Sequence, residues 1–226
     1  MHHLEAQFVY FFSFIPVSPG AFLPWLITMV IATVLYFGTK HLSIVPTPIQ
    51  NVLEFFVESI DSFLMGILGD NKHNRELVPI FTTMFVYILS ANMLGVIPGF
   101  KSPTGIFSNC LGMALITFFM THYLGLKHHG IGYLKHFWGE PWWLGPLMFP
   151  IHVIGEFARP MSLSFRLFGN IFGEDVVVIV LTVAIFPLVI PIPMQCLMLF
   201  TSLIQALVFT VLSCIYIKGA MASEEH

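Results

Sequence analysis

Between residues 147 and 186 an otherwise apolar stretch is interrupted by His152, Glu156, Arg159, Arg166, Asn170, Glu174 and Asp175. Carboxylates and an imidazole can take up and release protons near neutral pH, and a guanidinium holds its charge without giving a proton up. In a bilayer core a central Arg, Lys or Asp costs roughly 2.5–3.5 kcal/mol, so such groups face a protein interior or a water-filled path. Glu156 and Arg159 stand three residues apart and can pair locally. Arg166 cannot. Its neighbours four residues away are Ser162 and Asn170, and no carboxylate lies three or four residues to either side. The local sequence leaves this cation without an anion, which points to a partner on another chain.

A helix gathers most of these groups. At about 100° per residue, with Arg166 at zero, Arg159 falls near +20°, His152 and Asn170 near +40°, Glu156 and Glu174 near +80° and Ser162 near −40°. Asp175 falls at about 180°, on the opposite face. A second stripe, Gln195, Ser202, Gln205 and Ser213, spans about 80° and is placed to face the first. No GxSxG, HExxH or P-loop pattern is present. His128, His129 and His136 lack the repeated spacing of a di-iron site. Cys110, Cys196 and Cys214 sit in apolar runs and read as buried free thiols. The expectation is no metal and no cofactor.

The elements that must hold these residues are membrane helices. The 226-residue chain is 57% hydrophobic and 9% charged, whereas soluble domains are roughly 25% charged. That excludes a soluble enzyme, a disordered protein and a nucleic-acid binder. No Lys or Arg precedes the first apolar run, so a signal-peptide n-region is not expected.

A bilayer core about 30 Å thick needs about 20 apolar residues per helix. The expected fold is an all-α polytopic membrane protein, a single domain over 1–226. It has about five crossings, near 21–38, 77–97, 105–126, 147–186 and 194–217. The fourth run is about 60 Å long as one helix, twice the core thickness, so it is tilted, broken or both. Pro160 is the place for a kink. The turn at 187–193 makes the last two runs a long tilted hairpin. Residues 47–68 form an amphipathic helix with Glu54, Glu58 and Asp61 along one side, fit for the membrane surface or for another protein. Residues 130–146, rich in Gly and Trp, read as interfacial. With the N-terminus outside and the C-terminus inside, the inner segments hold Lys40, Lys72, Arg75, Lys127, Lys135 and Lys218. The outer segments hold Lys101 alone. That asymmetry obeys the positive-inside rule.

The run Arg159-Pro160-Met161-Ser162-Leu163-Ser164-Phe165-Arg166-Leu167-Phe168-Gly169-Asn170, with Gly173-Glu174 after it, strongly resembles subunit a of the F-type rotary ATP synthase. So does Leu203 to Phe209, running on to Ile215-Tyr216-Ile217. Ser90 to Gly99 and Lys127-His128-His129-Gly130 support the resemblance, which extends over about 45–219. It implies a bacterial inner-membrane stator subunit that couples proton flow to ATP synthesis, while nucleotide chemistry takes place on other subunits. The implied partners are a ring of c subunits, the b subunits of a peripheral stalk, other synthase subunits and the lipid bilayer.

Residue by residue, the resemblance makes Arg166 the essential arginine facing the ring carboxylate. It makes Gln205 the facing glutamine and Asn170 a polar half-channel residue. Either Glu174 or Asp175 becomes the acid after the arginine, and His152 and Glu156 the ionisable groups before it. Ser162 shares the arginine's face. Two positions depart from the family pattern: Met198, where a His or Glu is frequent, and Gly95, where some members carry Asp. A lone transporter or channel would need a complete ion path within this chain. An intramembrane enzyme would need a nucleophile–base pair or a metal cluster.

Overall fold

The computed structural model describes residues 19–40, 47–69, 72–97, 102–130, 133, 145–184 and 191–221. Every regular element in that set is helical. In chain order these are α1 (Pro19–Thr39), α2 (Pro48–Leu68), a short α3 (Lys72–Arg75), α4 (Val78–Val96), a 3-10 turn (Pro103–Gly105), α5 (Phe107–His129), α6 (Gly145–Ala184) and α7 (Pro191–Met221). The expected segments agree with these bounds to within about four residues; α3 and the 3-10 turn were not expected. Of the interfacial segment 130–146, all but Gly130, Tyr133, Gly145 and Pro146 lie outside the described residues, as do residues 187–190 of the expected turn; Pro191–Pro193 belong to α7.

Local chemistry sets the ends. Thr47 caps α2 by accepting from the Gln50 N–H, and Pro48 follows where a missing N–H costs nothing. Gly69, at φ 87°, ends that helix. The Asn74 amide donates to the carbonyls of Leu68 and Gly69, and the Lys218 ammonium to that of Ile67 at 2.6 Å. The C-terminus of α2 is thus capped by a cation from α7. Gly130, at φ 56°, ends α5 just after Lys127, His128 and His129.

Among the described residues, three helices are long and apolar enough to cross a membrane: Val78–Val96, Phe107–His129 and Pro193–Met221. The apolar part of α1, Leu23–Thr39, is shorter. One core joins four helices through Phe85 and Ile88 (α4), Cys110 and Ala114 (α5), Leu163 and Leu167 (α6), and Ala206 and Phe209 (α7). A second joins Leu64 and Leu68 (α2), Leu77, Val78 and Phe81 at the start of α4, and Cys214 and Ile217 (α7). Helix α7 belongs to both. All three cysteines are free, but only Cys110 and Cys214 are buried. Cys196 is exposed, contrary to the sequence reading, because it falls on the outward side of α7.

Helix α6 runs unbroken from Gly145 to Ala184, through Pro150 and Pro160. Of the two ways to fit 40 residues, the broken helix is not the one adopted. Ser164 donates to the carbonyl of Pro160, so the turn after the proline keeps a bonded acceptor. Helices α6 and α7 pack antiparallel in one register. Arg159 lies over the ring of Tyr216, the Asn170 amide donates to Gln205, and Thr201 reaches Glu174. Each step forward on α6 is matched by an equal step back on α7 across this span.

Candidate functional site: a polar hairpin around an unpaired arginine

Arg166 is exposed, and no hydrogen bond or ion pair joins it to any described residue. A stripe of small positions runs beside it on the outer side of α6, flanked by the exposed Met161, Phe165 and Phe172. Ser162 and Gly169 are exposed, and a Cβ added at Gly155, Gly169 or Gly173 would meet nothing within 4 Å. The cation therefore stands on an open shelf that another helix can approach closely, as small residues permit in membranes.

The single polar face drawn from the sequence is divided in the structure. Ser162 and Arg166 point outward. Asn170 sits at the edge, and its amide donates to Gln205 Oε1 at 2.6 Å. Gln205 is 3% exposed, and its own amide nitrogen has no partner among the described residues. Glu156 and Arg159 turn inward and pair at 2.8 Å. His152 is half-buried. The stripe on α7 also divides: Gln205 faces α6, while Ser213 lies 3.4 Å from Thr117 of α5.

The two acids after the arginine diverge. Glu174 is half-buried against α7, with Oε2 unpartnered among the described residues. Asp175 turns the other way, and its Oδ2 lies 3.7 Å from the place a Cβ on Gly105 would take. The buried Ser202 hydroxyl is also unpartnered among the described residues. Glu174 and Gln205 therefore bring two unsatisfied polar atoms to the α6–α7 seam, and the buried Ser202 hydroxyl is a third on α7. Leaving a buried polar group unpaired costs about 1–3 kcal/mol, so water is the natural occupant of such a seam.

Both departures from the family pattern have a structural setting. A Cβ on Gly95 would lie 3.0 Å from Ser102 Cβ, so Ser102 fills the space an Asp side chain would need. Polar groups come instead from the 3-10 turn: Ser102 donates to the carbonyl of Ala91, and Thr104 to Asn92 Oδ1. Met198 is buried, and the polar neighbour of Glu174 is Thr201.

The sequence reading missed His122 and Tyr133. The Tyr133 hydroxyl lies 2.9 Å from His122 Nδ1, and His122 Nε2 is 3.9 Å from Glu156 Oε2. His122 was discoverable by the rule that flagged α6, since it is an ionisable residue inside an apolar run. Among the described residues no cluster of His, Cys, Asp and Glu could hold a metal ion.

Fold and site together define a polytopic helical membrane protein whose hairpin presents an unpaired arginine outward and a carboxylate on each side of it along the helix. Residues 21–218 match the family described as ATP synthase A chain. The chain is 39% identical to the ATP synthase subunit a of Trichlorobacter lovleyi over 202 residues, 89% of this chain and 86% of that one. It is 40% identical to that of Geobacter sulfurreducens over 202 residues, with the same coverage. It is 39% identical to that of Helicobacter hepaticus over 203 residues, 89% of each chain. The chain belongs to the ATP synthase A chain family.

Proposed function

We propose that the chain is the proton-conducting stator subunit of a bacterial F-type ATP synthase, spanning the inner membrane five times with the N-terminus outside and the C-terminus in the cytoplasm. On this reading it supplies two half-channels that load and unload protons on the carboxylates of a c-subunit ring. It is held against that ring by the b subunits of a peripheral stalk. The observation that carries the reading is Arg166, exposed and unpaired on a shelf of small residues.

A ring carboxylate must be neutral to face lipid, because a bare charge there is too costly. Beside Arg166 the ionised form is favoured, since a nearby cation stabilises it. A proton leaves before the arginine and another arrives after it. The guanidinium stays charged, so it blocks direct transfer between the two paths. Glu156 and His152 serve the path before Arg166. Asn170, Gln205 and Glu174 serve the path after it, and Asp175 supports the same end from the opposite side of α6. Ser162 keeps the ring-facing surface small and polar.

Membrane vesicles carrying Arg166→Ala test this. Assembly, checked by co-purification with the ring and stalk, stays near wild type. ATP-driven pumping and ATP synthesis fall to background, and passive leak holds or rises. Coupled transport near wild type in an assembled complex sinks the reading and favours a transporter that works alone.

A further inference from the structure

Four side chains from three parts of the chain form one polar line at the Lys127–His129 end of the molecule. Tyr133 lies just past α5 and is 6% exposed. Its N–H donates to the carbonyl of Gly130, which folds it back over α5. There it covers Gly125, where a Cβ would stand 2.6 Å from the tyrosine ring. Only glycine lets the ring lie this close, and this placement brings the hydroxyl to 2.9 Å from His122 Nδ1. Phe118 holds the imidazole edge-on at 4.2 Å between centroids. Nε2 then faces Glu156 Oε2 at 3.9 Å, a gap that a movement of about 1 Å closes to a hydrogen bond. Arg159 occupies the other carboxylate oxygen at 2.8 Å.

Beyond Glu156 lies a pocket of about 10 Å³, room for about one water. It is lined by Thr117, Thr121 and Arg159 among others. Leu163, three residues before Arg166 on α6, also lines it. His122 sits seven residues, about 10 Å, inside the basic end of α5, and Glu156 sits ten residues, about 15 Å, before Arg166.

We infer that His122 is a proton-handling residue of the path before Arg166, exchanging protons with Glu156, and that Tyr133 is its positioning residue. This rests on the stator reading above. With the Tyr133 hydroxyl donating to Nδ1, the imidazole carries its proton on Nε2, toward the carboxylate. In the inward step Nε2–H passes a proton to Glu156 Oε2. Nδ1 takes the tyrosine proton, the tyrosine oxygen takes the incoming proton from hydronium at the basic end, which leaves as water, and the imidazole returns to its Nε2–H tautomer before the next proton. One proton enters, one is delivered, and no charge is left on the relay. Burial raises the Tyr133 hydroxyl above its ordinary value, with the nearby Glu156 carboxylate adding to the shift, so the phenol stays a neutral donor. Among the described residues, the charged and titratable groups facing His122 include Glu156 and Arg159 from α6 and Tyr133. From α7, Tyr216 stands behind Arg159.

The test uses vesicles with the assembled complex, scoring ATP-driven pumping per complex from about pH 6 to 8.5, the range in which an imidazole titrates. His122→Gln lowers pumping about tenfold or more and flattens its pH profile. Added imidazole restores part of the rate in His122→Ala. Tyr133→Phe keeps the ring on Gly125, lowers pumping about twofold to threefold and moves the midpoint of the profile. A merely structural histidine would lower the yield of complex while the surviving complexes kept the wild-type profile, and that result overturns the inference. Should His122→Gln fail to assemble, an unmoved profile in Tyr133→Phe overturns it as well. Arg166→Ala in the same vesicles separates the two readings. If it still pumps, the stator reading has failed; if it stops while both His122 and Tyr133 variants pump as wild type, only the relay has failed.

Discussion

Helix α6 carries a carboxylate on each side of Arg166, and the two are housed in opposite ways. Glu156 is paired: Arg159 holds one oxygen and His122 faces the other. Glu174 keeps one oxygen unpartnered among the described residues, on a helix pair where Ser202 and Gln205 also carry unsatisfied groups. A paired carboxylate with an imidazole beside it is built to pass a proton through side chains. An unpaired one on an unsatisfied seam is built to meet water. On the proposed function, the contrast distinguishes two unlike paths, a side-chain relay before the arginine and a hydrated seam after it.

Removing each acid breaks the comparison most directly. Glu156→Leu strands Arg159 and is expected to cut the yield of intact complex. The cost falls below the about 3–5 kcal/mol of a fully buried pair, because Arg159 is 42% exposed. Glu174→Leu strands nothing, so the complex assembles at wild-type yield or better while coupled pumping drops steeply. Quantifying purified complex beside pumping per complex separates the two. Equal yields would mean that the Glu156 pair carries no structural weight. Unchanged pumping in Glu174→Leu, Asp175→Leu and the double variant would remove the second path from consideration.

A smaller effect is expected at the edge of the seam. Asn170→Leu takes the donor from Gln205 Oε1 and leaves that buried amide wholly unpaired, a loss of about 1–2 kcal/mol. It should appear as a lower unfolding temperature of the solubilised complex, with slower pumping. The smallest effect is at Ser202. Its hydroxyl has no partner among the described residues, so Ser202→Ala should change stability by less than about 1 kcal/mol and in the favourable direction. A clear destabilisation would show that the hydroxyl is bonded in the assembled complex, and the seam would be drier than described.

Much of this was legible in the sequence for physical reasons. Apolar runs between Gly, Pro and charged residues gave the helices, because a bilayer tolerates few other arrangements. Charge inside such a run singled out α6. What an ideal helical wheel cannot supply is the neighbour on each side. It put Glu156 on the arginine's face, whereas α5 draws it inward to His122. It left Glu174 and Asp175 undecided, whereas packing sends one toward α7 and the other toward the 3-10 turn. His122 and Tyr133 were invisible as a pair because eleven residues and a turn separate them. The unbroken passage of α6 through Pro160 also follows from packing on α5 and α7, which a propensity argument does not contain.

Helix α7 belongs to both cores, and that has a mechanical meaning. A stator must resist a sideways push each time the rotor advances. One proton driven through 100 mV delivers about 2.3 kcal/mol, comparable to one or two interhelical hydrogen bonds in a membrane. No single bond would hold the hairpin against such a load for long. Wedged between α4, α5 and α6 at one level, and between α2 and α4 at another, α7 works as a tenon. On the proposed stator reading, a force taken up at Arg166 would spread through two packed joints, and Lys218, bonded to the end of α2, would close the frame.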